Sequence, residues 1–550
     1  MSPAELTYAW AATLADVLVR RGVQHVAVCP GSRSAPLALA FAERPELKLW
    51  PIPDERSAAF FCLGVGMATG TPAALVVTSG TAGANAYPAV IEAAMSRVPL
   101  VVISANRPPE LHGFGALQTI EQHRLFGGFA QFAPLPVPEA ATAPHLRATV
   151  ARALAGQGVV HLDVPFREPL ALAPGAAMPR AFDGGERFGA PAPGVADVSE
   201  AAKLLRARAV IVAGPGRFCA QVLALAQRLH APIFAEASSG YRYGPASSHA
   251  VAHYDALLRT EPKLQAQLVI RVGGPLTTRT LQGFVDGCGA EVLQLAEPGR
   301  VCDPNHAARV VLEGDTGLTA GALLERAPEG DAAWLEQWLA LDARAADALD
   351  RHLDGGASEP AFARALVAAL PAGANLMLSN SMPIRDVDAF ASKSPRALEV
   401  YSSRGASGID GVTSTAFGIA AATGRKTALR IGDTALLQER GGLVWGARLQ
   451  LPLCAVVVNN AGGRIFELLP VAQSTGRLGE LFVMPPGVEL RHAAAVACAA
   501  WHPVKGSGEL GAVVPQALEG GVHLVEADAT GRDVTQDHRL AWAAVSEAVR

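Results

Sequence analysis

The sequence predicts an α/β protein built from three doubly wound parallel sheets. Short runs of aliphatic and β-branched residues alternate with helical patterns along the chain, which is typical of strand–helix–strand units. The alternation falls into three groups, separated by a Pro-, Gly- and Ala-rich stretch at 166–198 and an Ala- and Asp-rich helical stretch at 330–356. At roughly 150 residues per domain, a chain of 550 residues has room for about three domains. We therefore expect domains at 1–180, 190–345 and 355–550, with no cofactor in the central one.

Each group contains five predicted strands. The first group has them at 25–29, 47–52, 74–78, 100–105 and 159–164. The second group has them at 209–213, 232–235, 268–272, 291–295 and 310–312. The third group has them at 375–378, 398–401, 427–431, 453–458 and 522–526. Because parallel strands need long crossover connections, we expect helices between them.

Composition limits the kinds of partner that the protein can have. Lys and Arg number 46 against 50 Asp and Glu, and no block of like charges occurs, so a surface that follows a nucleic-acid backbone is not expected. The longest apolar runs, such as 98–103 and 453–458, are far shorter than the ~18 residues that cross a bilayer. The seven cysteines form no Cys-x-x-Cys pair. We expect a cytoplasmic protein with no nucleic-acid or membrane partner.

Polar residues follow four strands of the first group. In parallel α/β sheets, ligands bind in the crevice beyond the carboxyl ends of the strands, so these residues are candidates for a site. They are Pro-Gly-Ser-Arg-Ser at 30–34, Pro-Asp-Glu-Arg-Ser at 53–57, Thr-Ser-Gly-Thr-Ala at 78–82 and Asn-Arg-Pro-Pro at 106–109.

Two strands of the third group end in oxygen-bearing side chains. One ends in Gly432-Asp433 and the next in Asn459-Asn460, and 460 − 433 = 27 positions is the length of one helical crossover. A carboxylate, an amide oxygen and a backbone carbonyl in the glycine-containing turn that follows are hard ligands suited to Mg²⁺, with water and phosphate oxygens completing the octahedron. Alternatively, Asp433 caps the following helix and the two asparagines form a turn.

The paired motif resembles the thiamin diphosphate-binding motif. The resemblance implies that Asp433, Asn460 and the carbonyl of Gly462 hold Mg²⁺, or Mn²⁺ in its place, beside Gly432. Thr434 stands where the motif usually has a second glycine.

Glu55 is the candidate catalytic residue. A thiamin enzyme needs a carboxylate against the aminopyrimidine ring to assist the proton transfer that activates the cofactor. Glu55 follows a predicted strand of the first group. The alternative is structural, because Asp54 as N-cap with Glu55 in the first helical turn is a common helix start.

Eight longer segments are similar to the 2-succinyl-5-enolpyruvyl-6-hydroxy-3-cyclohexene-1-carboxylate synthase family, in the same order. They are PGSRSAPL (30–37), DERSAAFFCLG (54–64), TSGTAGANAYPAV (78–90), NRPPEL (106–111), QTIEQ (118–122), SNSMPIRD (379–386), SSRGASGIDG (402–411) and NNAGGRIFELLP (459–470). The resemblance implies three domains of the thiamin diphosphate enzyme type. It also implies decarboxylation of 2-oxoglutarate and addition of the succinyl unit to isochorismate, in menaquinone biosynthesis.

The resemblance also assigns residues to the site. Both substrates are dicarboxylates, which planar guanidinium groups bind well, although an isolated arginine more often forms a surface ion pair. The implied substrate-binding residues are Arg33, Arg107, Gln118, Ser381, Arg385, Arg404, Ile465, Phe466 and Leu469. The implied cofactor-binding residues are Ser79, Gly80, Gly432, Asp433 and Ile409, the last as an apolar wedge under the cofactor. Glu55 and Asp433 are expected to serve one site from two chains, in a homodimer or a dimer of dimers.

Three departures from the family pattern concern the substrate site. Asn106 stands where an acidic residue is usual, and Leu117 stands where an asparagine is frequent before Gln118. The segment 434–442 replaces a more usual aromatic, His-Asp-containing segment. These departures affect the expected substrate affinity and the surroundings of the site, not the expected reaction class.

Other functions remain open. An acetolactate-synthase-like carboligase or a simple 2-oxo acid decarboxylase would share the cofactor site. A flavin- or dinucleotide-binding oxidoreductase is suggested by the glycines of 212–217, but Cys219 replaces the third glycine of that fingerprint. A non-catalytic protein that keeps the fold is the last alternative.

Overall fold

The computed structural model describes residues 1–156, 158–184 and 194–550. Within these ranges, three six-stranded sheets form, and every neighbouring pair of strands runs parallel. The predicted fold class is therefore confirmed. The predicted domain boundary at 190 lies outside the described residues, as does part of the predicted linker.

The first sheet has the strand order β2-β1-β3-β4-β6-β5. Its strands are β1 His25–Val28, β2 Lys48–Pro51, β3 Ala73–Val77, β4 Leu100–Asn106, β5 Gln131–Pro134 and β6 Val159–Pro165. Its helices are α1 Pro3–Arg20, α2 Ala35–Ala42, α3 Glu55–Thr69, α4 Ala82–Asn85, α5 Tyr87–Ser96 and α6 Ala143–Ala153.

The second sheet has the order β12-β11-β10-β7-β8-β9. Its strands are β7 Ala209–Ala213, β8 Ile233–Ala235, β9 Ala250–Val251, β10 Leu268–Val272, β11 Glu291–Ala296 and β12 Val310–Glu313. Its helices are α7 Ser199–Ala202, α8 Ala220–Arg228, α9 Tyr254–Leu258, α10 Arg279–Gly287, α11 Thr316–Leu324 and α12 Ala332–Leu353.

The third sheet repeats the order of the first, as β14-β13-β15-β16-β18-β17. Its strands are β13 Asn375–Leu378, β14 Glu399–Ser402, β15 Thr427–Gly432, β16 Leu453–Asn459, β17 Ala500–Val504 and β18 Val522–Asp528. The helices of this part of the chain are α13 Glu359–Ala369, α14 Met382–Phe390, α15 Val412–Thr423, α16 Asp433–Gln438, α17 Arg440–Arg448, α18 Leu490–Val496, α19 Ser507–Ala517 and α20 Val534–Val549.

Two of the inner strands are apolar and buried along their whole length. Every residue of β3 (Ala-Ala-Leu-Val-Val) and of β7 (Ala-Val-Ile-Val-Ala) is buried. Strands covered by helices on both faces are expected to be continuous hydrophobic runs rather than alternating ones. This is why the sequence predicted these strands with nearly the observed bounds.

The chain forms two compact units. The first consists of residues 1–191, 405–424 and 439–451, and the second of 192–404, 425–438 and 452–550, as far as these are described. The first sheet lies in the first unit, and the second and third sheets lie in the second. Each predicted domain range contains one whole sheet, and the exact domain boundaries stay a prediction. No helix of the described residues combines the length and hydropathy that a membrane crossing requires.

Candidate active site

The crevice of the third sheet lies where the chain changes direction across the sheet. The chain passes from β13 to β14 on one side and then returns to β15 on the other, and such switch points are where open α/β sheets bind ligands. Ser379 to Ser381 follow β13, and Asp433 follows β15. The sequence-predicted residues of this part of the chain therefore lie at the ends of adjacent strands.

The predicted cation ligands Asp433 and Gly462 are in direct contact. Strands β15 and β16 pair in parallel, with Gly432 opposite Val458. The backbone N–H of Gly462 donates to Oδ2 of Asp433 over 2.9 Å, and the hydroxyl of Thr434 donates to Oδ1 over 3.0 Å. Neither contact caps α16, which begins at Asp433 itself, and a carboxylate that accepts hydrogen bonds can also bind a cation.

The electrostatics at Asp433 favour a positive ligand. Asp433 is 1% exposed, and its burial raises the pKa of its carboxyl group. Among the described residues, Asp433 has no ion-pair partner. A bound divalent cation would therefore stabilise the ionised form of the buried Asp433 carboxyl group.

The donor set fits Mg²⁺ rather than a softer metal. Asp433 offers a carboxylate, Asn460 an amide oxygen and Gly462 a backbone carbonyl, which are the hard oxygen ligands that Mg²⁺ prefers. Asn460 is 8% exposed, and its Nδ2 donates to Oε1 of Glu359 over 2.7 Å. The described residues contain no cluster of three or more His, Cys, Asp and Glu side chains that could hold a metal, as zinc sites require.

Arginines lie beside this crevice. Nη1 of Arg404, after β14, donates to Oδ1 of Asn380 over 2.9 Å, and Nη1 of Arg385 donates to the carbonyl of Ser381 over 2.6 Å. Burial, and then the positive charge of Arg404, lowers the pKa of Arg385. Ser381 has a φ of 70°, and such strained non-glycine residues concentrate at ligand sites.

A cavity of about 730 Å³ lies next to Arg385 within the second unit. The predicted residues Ile465 and Leu469 line it, whereas Phe466 packs against Phe482 with ring centroids 5.3 Å apart. Arg279, at the start of α10, also lines the cavity and was not predicted. Arg279 comes after β10, and the carboxyl ends of parallel strands are where such sheets bind ligands, so this position was the available signal.

The predicted residues of the first sheet also form a connected group. Arg107 donates through Nη1 to the hydroxyl of Ser79, which is 1% exposed. Nε2 of Gln118 donates to the carbonyl of Ser79 over 3.1 Å. Gly80 lies against Gln118, because a Cβ on Gly80 would come within 2.8 Å of the Gln118 side chain. Ends of β3 and β4 and the loop at 118 are thus brought together.

Arg33 is more deeply buried than an arginine that binds a substrate carboxylate needs to be. Its Nη1 donates to the carbonyl of Phe166 over 2.8 Å, and its Nη2 pairs with Glu168 over 3.2 Å. Burial, and then the charge of Arg107, lowers the pKa of Arg33. A guanidinium with these contacts supports the fold of the first unit, and its role in substrate binding stays a prediction.

Glu55 lies at the start of α3, as its structural alternative required. Asp54 is the N-cap, and its Oδ1 accepts from the N–H of Arg56 over 3.0 Å. Glu55 itself is half-buried and makes a different contact: its Oε2 accepts from Nδ2 of Asn85 over 3.1 Å. Capping thus falls to Asp54, which leaves the Glu55 carboxylate available for a ligand. Asn85, in α4, was not predicted.

Ile409 lies half-buried in the loop that precedes α15. A buried carboxylate, Glu92 of α5, holds the start of this loop by accepting from the N–H groups of Gly405, Ala406 and Ser407 over 2.8, 2.7 and 3.2 Å. The loop segment that leads to Ile409 is therefore fixed to the first unit.

The structure shows the surroundings of the three positions at which the sequence departs from the family pattern. Asn106 donates through Nδ2 to Asp163 over 3.2 Å, so an acidic residue here would face a second carboxylate. Leu117 is 87% exposed. In the segment 434–442, the fully buried Glu439 accepts from the N–H groups of Thr413 and Ser414, at the start of α15.

The central sheet does not offer an open dinucleotide crevice. Its strand order is that of dinucleotide-binding folds, and the switch point lies between β7 and β10. The backbone closes that point: Gly274 N–H donates to the Pro215 carbonyl over 2.7 Å, and a Cβ on Gly214 would lie 2.4 Å from the Gly274 carbonyl oxygen. This geometry disfavours the dinucleotide alternative at that crevice.

Comparisons with known proteins match the chain to thiamine pyrophosphate enzymes. Residues 9–125 match the family described as thiamine pyrophosphate enzyme, N-terminal TPP binding domain, and residues 190–378 match the middle domain of thiamine pyrophosphate enzymes. An X-ray structure from Mycobacterium smegmatis, described among thiamin diphosphate-dependent enzymes, shares the fold with a TM-score of 0.69, 18% identity, and 96% of this chain and 99% of that chain covered.

Sequence relatives narrow the family. 2-Succinyl-5-enolpyruvyl-6-hydroxy-3-cyclohexene-1-carboxylate synthase of Myxococcus xanthus is 45% identical, covering 98% of both chains. The synthase of the same name from Chloroflexus aurantiacus is 38% identical over 98% of this chain and 96% of its own, and that of Bacillus velezensis is 36% identical over 97% and 96%. The chain belongs to the 2-succinyl-5-enolpyruvyl-6-hydroxy-3-cyclohexene-1-carboxylate synthase family of thiamin pyrophosphate enzymes.

Proposed function

We propose that this protein decarboxylates 2-oxoglutarate and adds the succinyl unit to isochorismate, with thiamin diphosphate and Mg²⁺, in menaquinone biosynthesis in the cytoplasm. The observation that best supports this function is the pair of guanidinium groups, Arg279 and Arg385, at one cavity of about 730 Å³. Among the described residues, neither arginine forms an ion pair, so both are available for carboxylates. Substrates that carry two carboxylates each fit this surplus of positive charge.

The chain's own residues would bind, orient and exclude water. Asp433, Asn460 and the Gly462 carbonyl would hold the cation, and Glu55 would hold a proton at the aminopyrimidine ring. The arginines would neutralise carboxylates, while Ile465 and Leu469 keep one wall of the cavity apolar. Bound thiamin diphosphate supplies the electron sink that decarboxylation of a 2-oxo acid requires.

Carbon dioxide release tests the substrate assignment. The purified protein is given thiamin diphosphate, Mg²⁺ and 2-oxoglutarate, and turnover is measured with and without isochorismate. We expect sustained turnover only with both substrates, and loss of turnover when a chelator removes Mg²⁺. Equal turnover with pyruvate and no dependence on isochorismate would instead support an acetolactate-synthase-like carboligase or a simple decarboxylase. A bound flavin in the purified protein would support the oxidoreductase alternative.

A further inference from the structure

A buried glutamate contacts the amide of the proposed cation ligand Asn460. Glu359, the first residue of α13, is 3% exposed, and its Oε1 accepts from Nδ2 of Asn460 over 2.7 Å. The two residues are 101 positions apart in the chain, so the sequence pattern gave no indication of this contact.

An asparagine amide has two ends of nearly equal size and opposite character. Its oxygen can bind a cation, whereas its NH₂ group only donates and would repel one. A carboxyl oxygen that accepts from the amide binds its NH₂ end, whether or not the other oxygen of the carboxyl group carries a proton. With Nδ2 of Asn460 held by Glu359, Oδ1 is the end that remains for a ligand.

We propose that Glu359 is a positioning residue for the cation site, which binds the NH₂ group of Asn460 and thereby turns its amide oxygen toward Mg²⁺. The inference rests on the proposed function, which supplies the cation. Residues behind metal ligands act in this way in many sites, and their loss commonly weakens metal binding by about 10- to 100-fold.

Glu359 is itself held by a buried set of charged groups. Its carbonyl oxygen accepts from Nη2 of Arg430 over 3.0 Å, and the same nitrogen pairs with Oδ2 of Asp386 over 3.0 Å. His538 binds the other oxygen of Asp386 over 2.8 Å. Arg430 lies on β15, which ends beside Asp433, so the same buried set anchors the surroundings of both Asp433 and Asn460.

The test measures cation binding directly. Mn²⁺ replaces Mg²⁺ as a probe, and its binding to the full-length protein with thiamin diphosphate is followed by electron paramagnetic resonance of free Mn²⁺. For E359M, which has no oxygen acceptor and only a weakly accepting thioether, we expect the dissociation constant for Mn²⁺ to rise about 10-fold or more. For E359Q, which keeps one acceptor oxygen, we expect a change of about threefold or less.

The matched control is E236M. Glu236 is 1% exposed, and its carboxylate binds Thr277 rather than a proposed ligand. Its loss should leave Mn²⁺ binding unchanged. Equal Mn²⁺ affinity in E359M and the unmodified protein would overturn the positioning role. If the unmodified protein itself binds Mn²⁺ no better with thiamin diphosphate than without it, the proposed cation site is wrong, which is a separate result.

If E359M does not fold, a double-mutant cycle tests whether Glu359 acts on cation binding through Asn460. N460D places a carboxylate against Glu359, and E359Q then provides an NH₂ donor to that carboxylate. We expect E359Q to strengthen Mn²⁺ binding about 10-fold in the N460D background, although it leaves binding unchanged or slightly weaker when Asn460 is retained. The same effect of E359Q in both backgrounds would show that residues 359 and 460 do not act together.

Discussion

Two glycines of the candidate cation site, Gly432 and Gly462, differ in the space around their α-carbons. A Cβ on Gly462, whose φ is 122°, would lie 2.3 Å from the carbonyl oxygen of Val483. A Cβ on Gly432 would meet no atom within 4 Å. Gly462 is therefore required by the fold, whereas the free space at Gly432 is where a phosphate group could approach the backbone.

The substitutions G432A and G462A should separate stability from cofactor binding. G432A should keep the melting temperature of the cofactor-free protein but weaken thiamin diphosphate binding about 10-fold or more, because the methyl group fills the phosphate space. G462A should lower the melting temperature as well, because of the clash and the positive φ. Calorimetric titration with the cofactor and thermal unfolding check both. Unchanged cofactor affinity in G432A would show that the phosphate does not lie there.

Asp163 gives the first unit a dependence on pH. Burial raises the pKa of Asp163 to about 6, although its hydrogen bond from Asn106 acts in the opposite direction. Because the folded-state pKa lies above the value of 3.8 in the unfolded chain, folding is favoured by protonation. This contribution is complete below pH 3.8 and is lost as pH rises through about 6.

The substitution D163N should remove that contribution and keep the contact with Asn106. Because the amide introduced by D163N does not ionise, we expect the variant to gain stability relative to the unmodified protein as pH rises. The difference in unfolding free energy should change by about 1 kcal/mol between pH 5 and pH 8. Denaturant titrations at the two pH values measure it. A difference that is the same at both would contradict the assignment to Asp163.

At the scale of elements, α5 fixes the loop that leads to α15. The carboxylate of Glu92 accepts three backbone N–H groups of that loop and the hydroxyl of Ser96 over 2.6 Å. An uncharged amide cannot replace it, because its NH₂ group would face N–H donors and leave them unpaired. Glu92 therefore holds the start of the loop that carries Ile409.

The substitution E92Q should loosen this loop before it unfolds the unit. Loss of about two hydrogen bonds to a charged group should lower the free energy of loop opening by about 2 kcal/mol or more. The backbone amides of 405–407 should then exchange roughly 30-fold faster. Hydrogen-exchange mass spectrometry measures it. The control is E110Q, which removes an exposed ion pair with Arg167 and should leave exchange at 405–407 unchanged. Equal exchange in E92Q and the unmodified protein would exclude a holding role for Glu92.

In each sheet, one of the two outer strands was not predicted from the sequence. These strands are β5, β9 and β17. At least half of the residues in β5 and in β17 are exposed, these strands contain Pro134 and Pro503, and β9 has only two residues. Prediction relied on apolar runs, which inner strands need because both faces are buried, whereas an edge strand needs neither an apolar run nor every N–H group.

Prediction of the candidate site from the sequence was limited in a similar way. Local motifs predicted Asp433 and Gly462, because strand ends and turns are determined by residues that are neighbours in the chain. Asn85 and Glu359 were not predicted, because only a contact with a residue far away in the chain draws attention to them, and those contacts exist only after folding.

At the scale of the whole molecule, the predicted site residues are divided between the two compact units. Glu55, Ser79 and Arg107 belong to the first, and Asp433 and Asn460 belong to the second. The family resemblance implies that one active site combines the Glu55 side of one subunit with the Asp433 side of another. On that hypothesis a homodimer is the smallest active form.

Mixed dimers distinguish a shared site from one built within a single chain. E55Q and D433N should each be inactive alone, since one lacks the proton-holding carboxylate and the other a charged cation ligand. In a dimer with one subunit of each kind, a shared arrangement places both defects in one site and leaves the second site intact. Differently tagged subunits that are co-expressed and purified as the mixed dimer should therefore recover about half of the native turnover. Sites formed within one chain would each carry one defect, and the mixed dimer would then be as inactive as its parents.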